Sequence, residues 1–326
     1  MSSLVEIAGI LKKAKKAVVC GHSMPDGDSI GSVLAMGILL NKIGVESYLA
    51  TPSPVPVMYD FLPGFDKIGA LKDFPADCDL AVFLDCTDLG RLGEDSVINL
   101  STVSITVNID HHVSNEGFAN LNYVDPEAAA TGEIVFELAK IMGITIEKDL
   151  AVNLYTAIAM DTGGFRFSNT TAKTHQIASV LIETGIDVSD TNYNLFEKKD
   201  FIHLKLLGYA LAELKTAAEG RLAWVTLPME IMHEFGALDE HAGGIINYPR
   251  MLNGVKIGLL FREISPDKFK IGFRSTNQVD VNKLAAIFGG GGHPRASGCS
   301  VEGNQQDVEQ RVIKACIEAL NTRTIS

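Results

Sequence analysis

The sequence predicts an α/β protein: a doubly wound, mainly parallel sheet followed by a smaller α/β domain. Three observations carry this expectation. The chain has 326 residues, and at roughly 100 to 200 residues per domain that leaves room for two. Strand-like and helix-like segments alternate over its first two-thirds, the pattern of parallel strands joined by helical crossovers. A shorter set of strand and helix patterns then follows a helical connector. The expected boundaries are 1–187, a connector at 188–214, and 215–326, with the active site in the cleft between the two domains.

The elements follow in order. The N-terminal MSSLVEIAGILKKAKK is a short amphipathic pattern without the longer apolar block and cleavage site of a signal peptide. KAVVCGH reads as a buried strand, and IGSVLAMGILLNKIG as a helix stopped by Lys and Gly. VESYLAT and DLAVFLDC repeat the strand signal. In VSITVNIDHH, Val103, Ile105, Val107 and Ile109 alternate with Ser104, Thr106 and Asn108, so the two faces of that strand should meet different surroundings. Helical patterns follow at TGEIVFELAKIMG, KDLAVNLYTAIAMDTG and AKTHQIASVLIETG. Beyond the connector, RLAWVTLP, VKIGLLFRE and KFKIGFRS read as strands, and VNKLAAIFG and Gln305–Leu320 as helices, with a loop of four glycines between those helices.

Composition restricts the function. At 46% hydrophobic residues the chain can bury a core, and its net charge of −12 provides no basic track for long duplex DNA and no attraction to anionic lipid. No apolar run approaches the roughly 20 residues that span a bilayer. Five cysteines without CxxC spacing point to a reducing cytoplasm. A homodimer is left open.

Four acidic or imidazole clusters fall where a parallel sheet presents its ligands, at the carboxyl ends of strands or at a helix end. His22, Asp26 and Asp28 lie in HSMPDGDS, where Pro25 and Gly27 make a turn. The competing reading of those two aspartates is helix capping and turn formation. Asp85 ends an otherwise apolar strand, where a carboxylate is costly unless paired or bound to metal; Asp88 is the weaker neighbour, suited to capping the next turn. Asp110, His111 and His112 end the next strand. Adjacent histidines on extended backbone point to opposite sides, which would let one ligate while the other faces substrate. Asp161 closes a helix before two glycines, an unfavourable place for an acid unless a cation is near. His22, Asp26, Asp28, Asp85, His111 and Asp161 together offer hard oxygen and nitrogen donors without thiolate, which suits Mn²⁺ or Mg²⁺. Their four carboxylates carry more charge than one divalent ion neutralises. Two ions roughly 3.5 to 4 Å apart, sharing a carboxylate and generating a hydroxide nucleophile, fit a phosphoesterase.

In the second domain, Gly290, Gly291 and Gly292 offer backbone N–H groups to an anion, with His293 and Arg295 beside them. A helix stop and surface loop is the competing reading. Arg274 and Ser275 end one strand and Arg262 another; Arg274 is the better phosphate candidate. Arg166 follows the Asp161 loop, where Phe165 and Phe167 read as packing residues, and Tyr248 and Arg250 are further candidates. His175, His203, His233 and His241 belong to no cluster.

HSMPDGDSIGS, FLDCTD, IDHH and MDTGG, in that order, resemble the four motifs of the DHH phosphoesterase family, and GGGGHPRASG resembles its DHH-associated C-terminal domain. Length and domain content are most similar to the NrnA-type nanoRNases of that family. The resemblance implies one Mn²⁺ held by His22, Asp26 and Asp85, and a second by Asp28, Asp85, His111 and Asp161, with Asp85 bridging. It leaves His112 to meet the scissile phosphate, with Asp110 behind it. It further implies hydrolysis of short oligoribonucleotides or of the 3′-phosphate of pAp. The alternatives are cleavage of cyclic or linear di-AMP, or nucleotide sensing without turnover.

Overall fold

The computed structural model describes residues 2–93, 103–276 and 279–321. They form two compact units, Met1–Lys198 and Lys199–Ser326.

In the first unit, β1 (Lys16–Cys20), β2 (Glu46–Thr51), β3 (Ile68–Ala70), β4 (Leu80–Leu84), β5 (Ile105–Asp110) and β6 (Leu121–Val124) form one sheet. The order is β3-β2-β1-β4-β5-β6, and every pairing is parallel. Strand order therefore reverses between β1 and β4, which opens a crevice at their carboxyl ends. Central strands are apolar because both faces are covered: β4 is buried at all five positions. Ser3 begins α1 (Leu4–Leu11) with a reciprocal capping box, and Asp26 caps α2 (Gly27–Lys42). α3 (Thr131–Met142), α4 (Lys148–Asp161), α5 (Ala172–Glu183) and α6 (Val188–Asn192) complete the unit.

The two faces of the alternating strand meet different surroundings: Val107 and Ile109 lie in the main hydrophobic core, while Asn108 meets polar partners. Asn108 is fully buried and donates to Cys86 O at 3.0 Å, so its amide is satisfied inside the protein rather than by water. The short strands β3 and β6 carry no clear alternation in sequence; each pairs over only three or four residues.

The second unit starts with α7 (Phe201–Ala212), whose Leu206 and Ala210 share a core with Val225 and Leu227. Its sheet combines β7 (Lys215–Ala217), β8 (Leu222–Leu227), β9 (Ile257–Ser265), β10 (Lys268–Ser275), β11 (Gly291–His293) and β12 (Ala296–Glu302). They lie in the order β11-β12-β10-β9-β8-β7. Only β8 and β9 run parallel. The helices are α8 (Met229–Glu234), α9 (Asn247–Met251), α10 (Val281–Ile287) and α11 (Gln305–Asn321).

The glycine run corrects the loop expectation. Gly291–His293 is an edge strand paired with β12, and the chain reverses at Pro294 and Arg295. A Cβ on Gly290 would collide with Gly298 O and Cys299, and one on Gly292, at φ 142°, would meet Ala296 O at 2.7 Å. Close hairpin packing by itself demands glycine at both positions.

Candidate metal centre

The crevice between β1 and β4 collects the predicted clusters. His22 follows β1, Asp85 follows β4, and Asp110 closes β5, the next strand over. Asp26 and Asp28 come from the start of α2 and Asp161 from the last residue of α4. Ligand atoms of His22, Asp26 and Asp85 lie within 4.8 Å of one another, as do those of Asp28, His111 and Asp161, and those of Asp85, Asp110, His111 and His112.

Asp85 stands at the centre. Its φ of 58° is a left-handed conformation that Asp tolerates better than most residues, and such strain is retained where a side chain must be aimed. One oxygen, Oδ2, lies 3.4 Å from His22 Nε2, and the other, Oδ1, 3.6 Å from His111 Nε2. The carboxylate thus faces both histidines, one with each oxygen. His22 Nε2 also stands 3.9 Å from Asp26 Oδ1.

Around His111 Nε2 are Asp161 Oδ2 at 3.1 Å, Asp85 Oδ1 at 3.6 Å and Asp28 Oδ2 at 3.8 Å. None is aligned as a hydrogen bond, and the ring nitrogen is buried without a partner. Burial by itself favours neutral imidazole, but Asp161, Asp28 and Asp85 outweigh it and raise the His111 pKa to about 10. Asp28 has no exposed surface; burial first, then the Asp85 and Asp161 charges, push its carboxyl well above the usual range. A cluster of carboxylates that calls for positive charge, around an imidazole nitrogen with no aligned hydrogen bond, fits divalent cations. These residues could hold them as two groups, one on each side of Asp85.

Support for the ligands comes from residues that carry no charge. Thr131 N and Gly132 N, at the start of α3, donate to Asp28 at 2.7 and 2.9 Å. Thr131 Oγ1 donates to Asp85 Oδ1 at 3.2 Å, and Ala128 O accepts from His111 Nδ1 at 3.2 Å. Asp110 Oδ2 accepts from Asn115 Nδ2 at 2.6 Å. The sequence reading missed Thr131, Gly132 and Asn115. The one local signal for the first two is a Thr-Gly helix start whose preceding residue, Ala130, has no capping side chain.

The two adjacent histidines require a correction. They do not point to opposite sides: their ring centroids are 4.5 Å apart, and His112 Nδ1 is also 3.5 Å from Asp85 Oδ1. The chain leaves the extended conformation after Asp110 because Asp110 Oδ1 accepts both His111 N (2.8 Å) and His112 N (3.2 Å). That turn brings both rings over the crevice. Burial would raise the Asp110 pKa, yet bonds from His112 and Asn115 hold it below the usual range. The His112 pKa is raised, burial being outweighed by Asp110 and Asp85. Asp88 caps the turn at Leu89–Leu92, accepting from Arg91 N.

The remaining candidates have local partners. Arg166 Nε donates to Gly163 O. Phe165 packs between Tyr155 and His175, while Phe167 is half exposed. In the second unit Arg274 NH1 donates to Phe273 O, and its pKa is lowered by burial and then by the nearby Arg250. Ser275 Oγ donates to Val279 O and Pro294 O, and Arg295 NH1 to Thr276 O and Val279 O, so both hydroxyl and guanidinium also brace the hairpin. His293 is exposed on β11. Arg262 pairs with Asp239 at 3.0 Å. His241 pairs with Asp200 at 3.1 Å, and His203 is buried.

Residues 16–158 match the DHH family, N-terminal domain, and residues 224–322 match the DHHA1 domain. The bifunctional oligoribonuclease and PAP phosphatase NrnA of Thermus thermophilus is 29% identical over 318 residues, spanning 96% of this chain and 93% of its own. The NrnA of Bacillus subtilis is 28% identical over 284 residues, 86% and 87% of the two chains. An exopolyphosphatase-related protein from Bacteroides fragilis has a crystal structure that superposes with a TM-score of 0.91 at 29% identity, covering 97% of this chain and 95% of its own. With a DHH domain followed by a DHHA1 domain, the chain belongs to the DHH phosphoesterase family and is a hydrolase.

Proposed function

We propose that this hydrolase cleaves short oligoribonucleotides and removes the 3′-phosphate of pAp, with two divalent cations, Mn²⁺ first among them. The observation that carries the reading is the shared carboxylate: Asp85 directs one oxygen to His22 and the other to His111. On each side of it stands a further set of donors, Asp26 with His22 and Asp28 with His111 and Asp161. Similarity to the NrnA proteins along nearly the whole chain supports the substrate class.

In this reading His22, Asp26 and Asp85 hold one cation, and Asp28, Asp85, His111 and Asp161 the other. Bound there, the ions supply positive charge to the phosphoryl oxygens and activate water. The protein's own work is positional. Asp110 Oδ1, 2.8 Å from His112 Nδ1, and the nearby Asp85 favour the protonated imidazole, so that Nε2–H donates to a phosphate oxygen and stabilises charge that grows there in the transition state. Arg166 in the first unit, and Arg274, Ser275, Gly290, Gly291, Gly292, His293 and Arg295 in the second, hold the rest of the substrate. A chain of net charge −12 favours small substrates in a local cationic site over long nucleic acid. The five cysteines are all free and buried, which supports a reducing cytoplasm. Among the described residues no helix is long and apolar enough to cross a membrane.

The test is a direct comparison of rates. Purified protein with Mn²⁺ or Mg²⁺ is given pAp, pyrophosphate, cyclic di-AMP, linear di-adenylate and labelled RNA of graded short lengths. Fastest turnover of the shortest RNAs and pAp is expected. Faster turnover of pyrophosphate or of a di-adenylate would replace the proposed substrate, and no turnover at all would favour a sensing role.

A further inference from the structure

Four of the contacts described above come from one short segment, Ala128 to Gly132. It touches His111 through Ala128 O, Asp85 through Thr131 Oγ1, and Asp28 through Thr131 N and Gly132 N. These are three of the four residues assigned to one cation. The fourth, Asp161, arrives from the far end of a different helix, and Gly163 and Gly164, both at positive φ, turn the chain immediately after it.

Asn169 joins the two. Its Nδ2 donates to Ala129 O at 3.0 Å and to Asp161 O at 3.1 Å. Both partners are carbonyl oxygens, which fixes the amide with its nitrogen toward them. The opposite atom, Oδ1, is buried without a partner, a desolvation cost that a residue serving only to solvate a loop would not bear. One side chain thus clamps the Asp161 backbone to the segment that holds the other three ligands. The group of His22 and Asp26 has no contact with Asn169 among the described bonds.

We propose that Asn169 is a positioning residue for one of the two cations. It sets the separation between Asp161 and the Asp28–His111 pair, and so controls affinity at that position while leaving the His22–Asp26 position unchanged. The inference rests on the two-cation reading, and it assigns a different dependence to each cation.

The test uses the full-length chain stripped of metal and titrated with Mn²⁺ by calorimetry and by the loss of free-ion EPR signal, without substrate. Asn169→Leu keeps the volume and removes both donors. One of two binding steps should weaken by about 10- to 100-fold, the range for residues that orient metal ligands, and the other should stay within about threefold by the same comparison. In an Asp161→Asn background the same substitution should add nothing. If Asn169→Leu does not fold, Asn169→Ser, which keeps a single donor, is expected to give the same one-step loss. A variant with a lower apo melting temperature but two unchanged binding steps would reduce Asn169 to a loop staple and overturn the proposal. Equal weakening of both steps would overturn it too. A parent chain that binds fewer than two ions would instead overturn the two-cation reading itself, and the inference with it.

Discussion

Asp110 Oδ1 stands 2.8 Å from His112 Nδ1 while accepting the backbone N–H of the same histidine at 3.2 Å. One buried oxygen therefore sets both the turn that brings His112 over the crevice and the orientation of its ring. Asn115 Nδ2 fixes the other oxygen, and it donates to Asn108 Oδ1 at 2.8 Å as well. The carboxylate has little freedom to rotate.

Replacing that carboxylate should lower rate without removing metal. Asp110→Asn keeps an acceptor for the backbone but sets an amide donor against Asn115, and the His112 proton loses its charged partner. A fall in kcat of about 10²- to 10⁴-fold is expected, the usual range for a positioned proton-transfer or electrostatic group. Metal content, measured on the same sample by atomic emission, should match the parent. His112→Ala should behave alike. Loss of metal in either variant would move His112 into the ligand set.

Asp85 calls for a different substitution. At φ 58° an alanine would be strained, whereas asparagine accepts the left-handed conformation, so Asp85→Asn isolates the charge. Without metal the variant should melt close to the parent, because the repulsion of Asp28 that is relieved is offset by the attraction to His22, His111 and His112 that is lost. With Mn²⁺ the two should separate: a ligand at 100 times its Kd stabilises by about 2.7 kcal/mol, and the variant should gain far less. Turnover should be lost. Thermal melts in EDTA and in Mn²⁺ decide the matter, and an equal gain for both proteins would remove Asp85 from the metal site.

The parts of this site that were legible in the sequence share a cause. His22 and Asp85 each end an apolar run and Asp110 ends an alternating strand, and the cost of burying a polar group at such a place is visible from neighbouring residues alone. Asn115, Thr131 and Asn169 are ordinary residues until the chain folds. Thr131 meets Asp28 from 103 positions away, and nothing near either residue records that meeting. The orientation of the two histidines is not legible because extended geometry ends at Asp110, where a side-chain acceptor turns the backbone. The glycine run carries no strand signal because glycine has no side chain to alternate, and its partner strand, Ala296–Glu302, mixes small and polar residues without a strong apolar pattern.

Gly31 links stability to the site. A Cβ there would strike Asn153 O and meet Ala157 N at 3.0 Å, so α2 and α4 approach closely only because the position is bare. Gly31→Ala gains about 1 kcal/mol of helix propensity. Overpacking against rigid backbone costs about 1 to 3 kcal/mol, and here the upper end applies because the struck atoms are main chain. A net loss near 2 kcal/mol corresponds to a drop of roughly 4 to 8 °C for a domain of this size. The same displacement separates Asp28, at the start of α2, from Asp161, at the end of α4, so Mn²⁺ affinity should fall with it. An unchanged melting temperature would show that the helices yield without cost.

The second unit should act on the substrate's far end. Arg295 and Ser275 brace the hairpin through Thr276 O, Val279 O and Pro294 O, so their removal mixes folding with recognition. His293, exposed on β11, and Arg274 beside Arg250 give cleaner variants. Binding energy from a remote phosphate orients the reacting one, so its loss should penalise substrates that carry a second phosphate and spare those that do not. His293→Ala and Arg274→Ala are therefore compared with the parent on pAp, on a short oligoribonucleotide and on bis(p-nitrophenyl) phosphate. A large fall in kcat/KM is expected on the first two, about 1.4 kcal/mol for each tenfold, with little change on the third. Equal falls on all three would place these residues in the chemistry or in the stability of the hairpin, because a contact to a remote phosphate cannot affect a substrate that has none.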